Sequence, residues 1–422
     1  PREDPELIDE LRPDMVLTAP GVPLAGPLFV RARAAGIPIR GENDFAFECI
    51  ARLAGREPFV IGITGTDGKS TTTALLAHLI QRGAGLSAVA AGNIGLSLSR
   101  LLLSGGPLAY LLEEKPTVAG ETAAVGTPTW PLLVVECSSF QLELVEAFHP
   151  RVALLLNLAD DHLDRYPDRE AYLAAKLNLT RKMGAEDVFL APSELRQRAG
   201  GPFGGRDIEL LSQEPDEFGF PGAPLLGRAE FLPPGPHNAT NLRFALAALE
   251  ELTARLNLDM DRERLATAVR EFRGLEHRLE FVGQSGDLRI FNDSKATTVQ
   301  AVGAALAAFG ETPIFLLLGG RAKGVEFDAL AGYAHVRAFA YGEAGPEIQA
   351  ALGLQRAYPD LKTAFEAAAE GADHLKSRSA CVLLLSPACA SFDAYGSYGE
   401  RGAHFRELAR ARWKLQPPET LK

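Results

Sequence analysis

The stretch Ile61-Gly-Ile-Thr-Gly-Thr-Asp-Gly-Lys-Ser-Thr-Thr-Thr73 carries the densest chemistry in the chain. Gly65 and Gly68 clear side chains from a turn, so backbone N–H groups can face an anion. Lys69 would set a point charge against the β/γ-phosphates of a nucleotide. The Ser70 or Thr71 hydroxyl would reach Mg²⁺, a hard ion that takes oxygen ligands. Thr66 and Asp67, between the glycines, belong to the same nucleotide-binding set. The spacing departs from a strict Walker A pattern, because the residue five before Gly68 is Ile63, not glycine. The plainer alternative is an ordinary glycine-rich βα turn. Gly-Lys-Ser-Thr directly after an apolar run points instead to nucleotide binding.

Other candidates follow apolar runs, where parallel sheets gather their catalytic groups. Leu132–Val135 runs into Glu136-Cys-Ser-Ser139, and Glu136 is placed to be a second Mg²⁺ ligand; alone it would read as a cap or an ion-pair partner. Val152–Leu156 leads into Asn157 and then Asp160-Asp-His-Leu-Asp164. There His162 is either a metal ligand or a cation paired with aspartates. Leu288–Phe291 ends in Asn292-Asp-Ser-Lys295, Ile314–Leu318 in Gly319-Gly-Arg-Ala-Lys323, and Cys381–Leu385 in Ser386-Pro-Ala-Cys-Ala-Ser391. Asp293 and Lys295 could close over a nucleotide or form a solvated pair. Asn238 opens a helix and could be only its N-cap. Asn241, one turn on, faces the same way and could touch a base or ribose.

Strands and helices must alternate to hold these groups. Phe59–Ile63 reads as a buried strand, and Lys69 opens a helical pattern through Leu75, Leu76, Leu79 and Ile80. Leu132–Glu136, Val152–Leu156 and Val188–Leu190 are further strands. Residues 111–131 read as a surface loop, and 200–236 as short strands or irregular connections. Helices follow at Asn238–Leu256 and Asp261–Phe272. A second α/β set has strands at Leu288–Phe291, Ile314–Leu318, Val336–Ala340 and Cys381–Leu385, with helices at Val299–Phe309 and Leu361–Gly371. The first 50 residues hold about one βαβ unit, too small to bury its own sheet. The expected domains are 1–50, 51–274 and 275–422.

Composition bounds the function. At 422 residues the chain exceeds one core, and 46 % hydrophobic with 23 % charged residues is the balance of a folded protein. A net charge of −11 argues against a general nucleic-acid binder. Cys49, Cys137, Cys381 and Cys389 show neither disulfide nor zinc spacing. No apolar run approaches a membrane span, so no membrane insertion is expected, and cytoplasm is the expected compartment.

In order along the chain, Thr-Gly-Thr-Asp-Gly-Lys-Ser, Glu-Cys-Ser-Ser-Phe-Gln-Leu-Glu, Asp-Asp-His-Leu-Asp-Arg-Tyr, His-Asn-Ala-Thr-Asn, His-Arg-Leu-Glu and Asn-Asp-Ser-Lys-Ala-Thr resemble the Mur ligases. Ser138–Glu143 and Leu385–Ser391 are most similar to the branch that adds D-glutamate to UDP-N-acetylmuramoyl-L-alanine in peptidoglycan synthesis. The resemblance runs from about residue 15 to 412.

It implies an α/β protein of three domains: a partial Rossmann-like N-terminal domain that binds the UDP-substrate, a central P-loop-type ATPase domain with a parallel sheet, and a Rossmann-like C-terminal domain that binds the amino acid. It further implies ATP and two Mg²⁺ sites; a monomer is the expectation for the chain. By resemblance Lys69 lies along the phosphates, and Ser70 with Glu136 holds the first Mg²⁺. His162 and Lys176 serve the second metal, with Lys176 carbamylated; sequence alone would make Lys176 a solvated helix lysine. Asn238, Asn241, Arg278 and Asp293 match nucleotide contacts, and Lys295 a residue near the phosphates. His277-Arg278 marks the hinge into the last domain. Thr18, Pro20, Gly21, Asn93, Ser138 and Gln141 match the UDP-substrate side. Thr297, Lys323, Ser391, Phe392 and Tyr398 match the region that receives D-glutamate.

Two departures stand out. Arg321 replaces an acidic residue common in relatives, either as a new carboxylate contact or turned away. The family's first βα unit, with its glycine-rich turn, has no counterpart before Thr18-Ala-Pro-Gly-Val-Pro23. A mis-set start or a removed segment is the expectation, and the chain begins with Pro1. The rival functions are a folylpolyglutamate synthase-like ligase and a nucleotide-binding protein inactive through its short N-terminus.

Overall fold

The computed structural model describes residues 4–102, 132–159, 161, 165–322, 324 and 326–415. The chain forms two compact units, Pro1–Arg228 with His237–Val269, and Ala229–Pro236 with Arg270–Lys422. It therefore passes between units after residues 228, 236 and 269.

The first unit opens with a short parallel ribbon, β1 (Val16–Thr18) beside β2 (Ile39–Gly41), linked by the helix Pro27–Ala34. This ribbon leans on its neighbour. The helix Glu42–Ala54 puts Ala46, Phe47 and Ile50 into the same buried cluster as Val135 and Phe148. Asp44 on that helix is fully buried, and its Oδ1 accepts the N–H groups of Glu146, Ala147 and Phe148 at 2.9, 2.6 and 2.8 Å. Its Oδ2 accepts from Arg40 Nε at 2.7 Å.

The central sheet is wholly parallel, with β3 (Val60–Thr64), β4 (Ala88–Gly92), β5 (Leu132–Glu136), β6 (Val152–Leu155) and β7 (Val188–Leu190) in the order β4-β5-β3-β6-β7. Four of these strands fall on the expected apolar runs. Helices cover both faces of such a sheet, so its strands show no polar alternation. β4, Ala88-Val-Ala-Ala-Gly92, is an addition to the expected set. Its small residues carry little strand signal. In the glycine- and proline-dense stretch a hairpin forms from β8 (Glu217–Phe220) and β9 (Ala223–Gly227). The helices Pro236–Arg255 and Arg262–Glu271 occupy the expected ranges. Residues 111–131, expected as a surface loop, lie outside the described residues.

The second unit holds β10 (Glu280–Ser285), β11 (Leu288–Asn292), β12 (Ile314–Gly319), β13 (Val336–Tyr341) and β14 (Cys381–Ala388), ordered β10-β11-β14-β12-β13. Only β10 runs antiparallel to its neighbour. Successive residues point to opposite faces. Phe291 and Leu318 join Val302 and Leu306 on one side, while Ile290 and Leu317 join Phe365 and Phe405 on the other. Parallel strands with covering helices make each unit α/β, the expected class.

Candidate active site

β3 is the middle strand of its sheet, and the glycine loop follows it directly. β5 and β6 flank it, with Glu136 at the end of one and Asn157 just beyond the other. Asn157 is the residue that shapes the loop. Its Oδ1 accepts the N–H groups of Thr66 at 3.1 Å and Asp67 at 2.9 Å, and its Nδ2 donates to the Asp67 carbonyl at 3.2 Å. The helix Lys69–His78 follows this loop directly. That helix has Gly68 at its N-cap, no side-chain cap and no acidic residue in its first turn. Its N-terminal partial charge is therefore set against no acidic residue of its own first turn.

Gly68 cannot be another residue without cost. Its φ is +80°, and a Cβ there would stand 2.4 Å from Asn241 Oδ1. The same contact brings Asn241, from the helix Pro236–Arg255, against the loop. Asn241 Nδ2 donates to Asn238 Oδ1 at 3.4 Å, and both asparagines are buried.

Two lysines meet at one carbonyl. Lys69 Nζ donates to the Gly65 and Thr66 carbonyls at 3.0 and 2.5 Å, and Lys176 Nζ donates to Gly65 at 2.7 Å. Lys176 is 1 % exposed and lies 4.2 Å from the Tyr172 ring centroid. Burial, and then the charge of Lys69, lowers its pKa to about 7. Near neutral pH a large share of this side chain is the free amine.

Glu136 is 1 % exposed. Its Oε1 accepts from Asn93 Nδ2 at 2.9 Å, while Oε2 has no hydrogen-bond partner among the described residues. A buried carboxylate oxygen without a donor is costly, and a hard divalent cation would satisfy it. The Glu136 carboxylate therefore fits a hard cation such as Mg²⁺. His162 lies outside the described residues.

In the second unit β14 runs between β11 and β12, so three chain segments leave the sheet side by side. Asp293 is buried there, accepting from Leu279 N–H at 3.2 Å and from Ser386 Oγ at 2.8 Å. Burial pushes its carboxyl up to about 7 despite those bonds. Lys295 is exposed, its ammonium 5.5 Å from the Tyr398 ring centroid. Ser391 is buried, Phe392 is 62 % exposed, and Thr297 is half-buried. Arg278 is exposed between His277 and Leu279, which hold left-handed φ values of +63° and +42°. Lys323 lies outside the described residues. Arg321 is turned to Glu343, with Nε donating to Oε2 at 3.0 Å.

The sequence profile of the Mur ligase middle domain matches residues 63–198, and that of the Mur ligase glutamate ligase domain matches 277–389. The UDP-N-acetylmuramoylalanine–D-glutamate ligase of Anaeromyxobacter dehalogenans is 39 % identical, over 94 % of this chain and 84 % of that protein. The chain belongs to the Mur ligase family. The same-named ligase of Geobacillus kaustophilus is 34 % identical over 95 % of this chain and 84 % of its own. Among solved structures, UDP-N-acetylmuramate–alanine ligase of Thermotoga maritima superposes with a TM-score of 0.52 at 21 % identity, covering 95 % and 86 % of the two chains. MurF ligase from Thermotoga maritima in complex with ADP gives 0.53 at 16 % identity, covering 94 % and 95 %. These two likenesses speak for the fold.

Within this Mur ligase chain the other expected residues are placed as follows. Ser138 and Gln141 form a capping box. Ser138 Oγ accepts from Gln141 N–H at 3.3 Å, and Gln141 Oε1 accepts from Ser138 N–H at 2.9 Å. Their side chains start the short helix Ser139–Leu142. Thr18 is buried, and Pro20 and Gly21 are exposed. Glu143, ending the same motif, accepts from Arg165 Nη2 and from the Tyr166 hydroxyl, each at 2.7 Å. Arg165 also reaches the Val22 carbonyl at 3.4 Å, tying this cluster to the loop after Thr18. Asn157 and Tyr172 are absent from the expected site. Asn157 had a usable signal, since it directly follows an apolar strand. Tyr172 had none, because a tyrosine one turn before a helix lysine is ordinary.

Proposed function

We propose that this chain is an ATP-dependent amide ligase that joins D-glutamate to UDP-N-acetylmuramoyl-L-alanine in peptidoglycan precursor synthesis. The names of its full-length relatives support the substrates. The observation that carries the chemistry is the uncapped helix at Lys69 beside the unpartnered Glu136 oxygen and buried Lys176.

A carboxylate is a poor electrophile, so the substrate's alanyl carboxylate oxygen attacks the γ-phosphorus of ATP and ADP departs. The resulting acyl phosphate is attacked by the amine of D-glutamate. The amine loses a proton, and phosphate leaves from the tetrahedral intermediate. Two anions must be brought together, so cations and N–H dipoles dominate what the protein supplies. Lys69 leaves the Gly65 and Thr66 carbonyls and takes up the β/γ-phosphates, with the N–H groups of the first helical turn. Thr66 and Asp67 line that nucleotide loop, and Asn241 and Asn238 contact the nucleoside. Ser70 with Glu136, and His162 with carbamylated Lys176, would hold Mg²⁺, which would supply charge neutralisation at the phosphates. The neutral amine of Lys176 is the form that adds CO₂, and its burial favours that form. Asn93 orients Glu136. Arg278, Asp293 and Lys295 serve the nucleotide, while Thr297, Lys323, Ser391, Phe392 and Tyr398 receive D-glutamate. Thr18, Pro20 and Gly21 lie on the UDP-substrate side. We place the reaction in the cytoplasm, where ATP is available, and expect a monomer.

The test is ADP formation with UDP-N-acetylmuramoyl-L-alanine plus D-glutamate, set against a folate plus L-glutamate. Turnover should require the first pair. Turnover only with the folate would overturn the reading, as would near-normal rates in Lys69→Ala.

A further inference from the structure

Arg401 is 0 % exposed and heads the fully buried side chains in size. A buried guanidinium ordinarily faces a carboxylate or phosphate. The four acceptors of Arg401 are three carbonyls and a hydroxyl. Nε donates to Ser294 Oγ at 3.0 Å, Nη2 to the Ser294 and Cys389 carbonyls at 2.9 and 3.1 Å, and Nη1 to the Gly319 carbonyl at 3.3 Å. The acceptors come from three places along the chain but from one end of the sheet. Ser294 follows β11, Gly319 ends β12, and Cys389 follows β14.

The surroundings are fitted to this group. Gly320 has φ +126°, and a Cβ there would lie 2.9 Å from Nη1 and 2.2 Å from the Ala390 carbonyl. Ser294 Oγ donates its own hydrogen to the Tyr398 carbonyl at 2.8 Å, leaving a lone pair for Arg401. Ser397 caps the helix Tyr398–Trp413 by accepting from Glu400 N–H at 3.1 Å, which fixes where Arg401 starts. A planar fork reaches acceptors on three segments at once; an ammonium on a flexible stem does not.

We propose that Arg401 is a positioning residue that locks segments 292–297, 319–322 and 388–392 into one arrangement. Resting on the functional reading above, that arrangement is the one that presents Thr297 and Ser391 to the amino acid and Lys295 to the phosphates. Without the guanidinium, three backbone carbonyls and a hydroxyl lose their buried donors, and the segments relax independently.

The experiment uses the full chain carrying Arg401→Lys or Arg401→Met. Amide hydrogen exchange in peptides covering the three segments should quicken about tenfold or more, the scale of a lost charge-assisted bond. The remainder of β11, β12 and β14 and the first unit should keep wild-type protection. In kinetics, KM for D-glutamate should rise by roughly the same factor. Unchanged exchange in the three segments would overturn the proposal. So would an even rise across the second unit, which marks general loosening. Arg401→Lys keeps charge and length, and carries the measurement if Arg401→Met does not fold. Exchange needs no substrate, so it decides this proposal even if wild-type protein fails to turn over D-glutamate, a result that would count against the functional reading alone.

Discussion

Lys176 shows how burial alone can alter what a side chain does. With its pKa near 7, the free amine gains as pH rises through that value, and so does its capacity to add CO₂. We expect Lys176→Ala to lower kcat about a hundredfold, and short-chain carboxylic acids to restore part of it by supplying the lost oxygens. Failure of rescue at every concentration would count against carbamylation. Asn157 acts on the loop itself. Asn157→Ala removes the side-chain acceptor of the Thr66 and Asp67 N–H groups, leaving Thr66 only its 3.2 Å bond to the residue 157 carbonyl, and should raise KM for ATP about tenfold, with little effect on KM for D-glutamate. Nucleotide titration of the variant checks this.

Asp293 carries a pH signature. Its carboxyl titrates near 7 folded against 3.8 as the ordinary value, so the folded state holds the extra proton between those limits. Its contribution to stability is present below about pH 4, is lost as pH rises towards 7, and is flat above. Asp293→Asn removes that slope. The melting temperature of Asp293→Asn relative to wild type should climb between pH 5 and pH 7.5, and a constant difference would refute the assignment.

Elements differ in how plainly the chain announces them. Val152–Leu155 is legible because a central parallel strand is buried on both faces and so becomes an unbroken apolar run. β4 is hidden by its alanines, and β10 because Glu280-Phe-Val-Gly-Gln-Ser285 sits at a sheet edge with polar ends. The phosphate loop, Glu136 and the strand-end residues of the second unit could be picked out from position alone. Arg401 could not, since its role depends on three segments distant in sequence meeting at one end of a sheet. The capping box of Ser138 and Gln141 was likewise readable as a helix start only once its reciprocal bonds were seen. At this scale Asp44 is the test of how the N-terminal ribbon is held. Asp44→Ala strands three N–H groups and leaves Arg40 with Glu48 as its remaining carboxylate partner, at a cost of about 3 kcal/mol or more. Limited proteolysis should then cut first within residues 42–54, and an unchanged digestion pattern would refute this.

Across the whole molecule, the Ala229–Pro236 segment belongs to the second unit although the chain on either side of it belongs to the first. Phe231 is 2 % exposed, Leu232 packs on the core containing Leu318 and Phe291, and Glu230 pairs with Arg270 at 2.7 Å. A fragment of residues 270–422 should therefore melt lower than the same fragment given a peptide of residues 229–236, by several degrees for about 1 kcal/mol regained. No change on adding the peptide would show that the segment contributes nothing there.

That strap also limits how the gene can be reshuffled. A single crossover between two related ligases, placed after residue 269, yields a chimaera whose second unit wears the other parent's strap. Exchanging the unit whole takes three breakpoints, after 228, 236 and 269. In a library of such hybrids, survivors should be those in which Phe231 and Leu232 share ancestry with the core they cover.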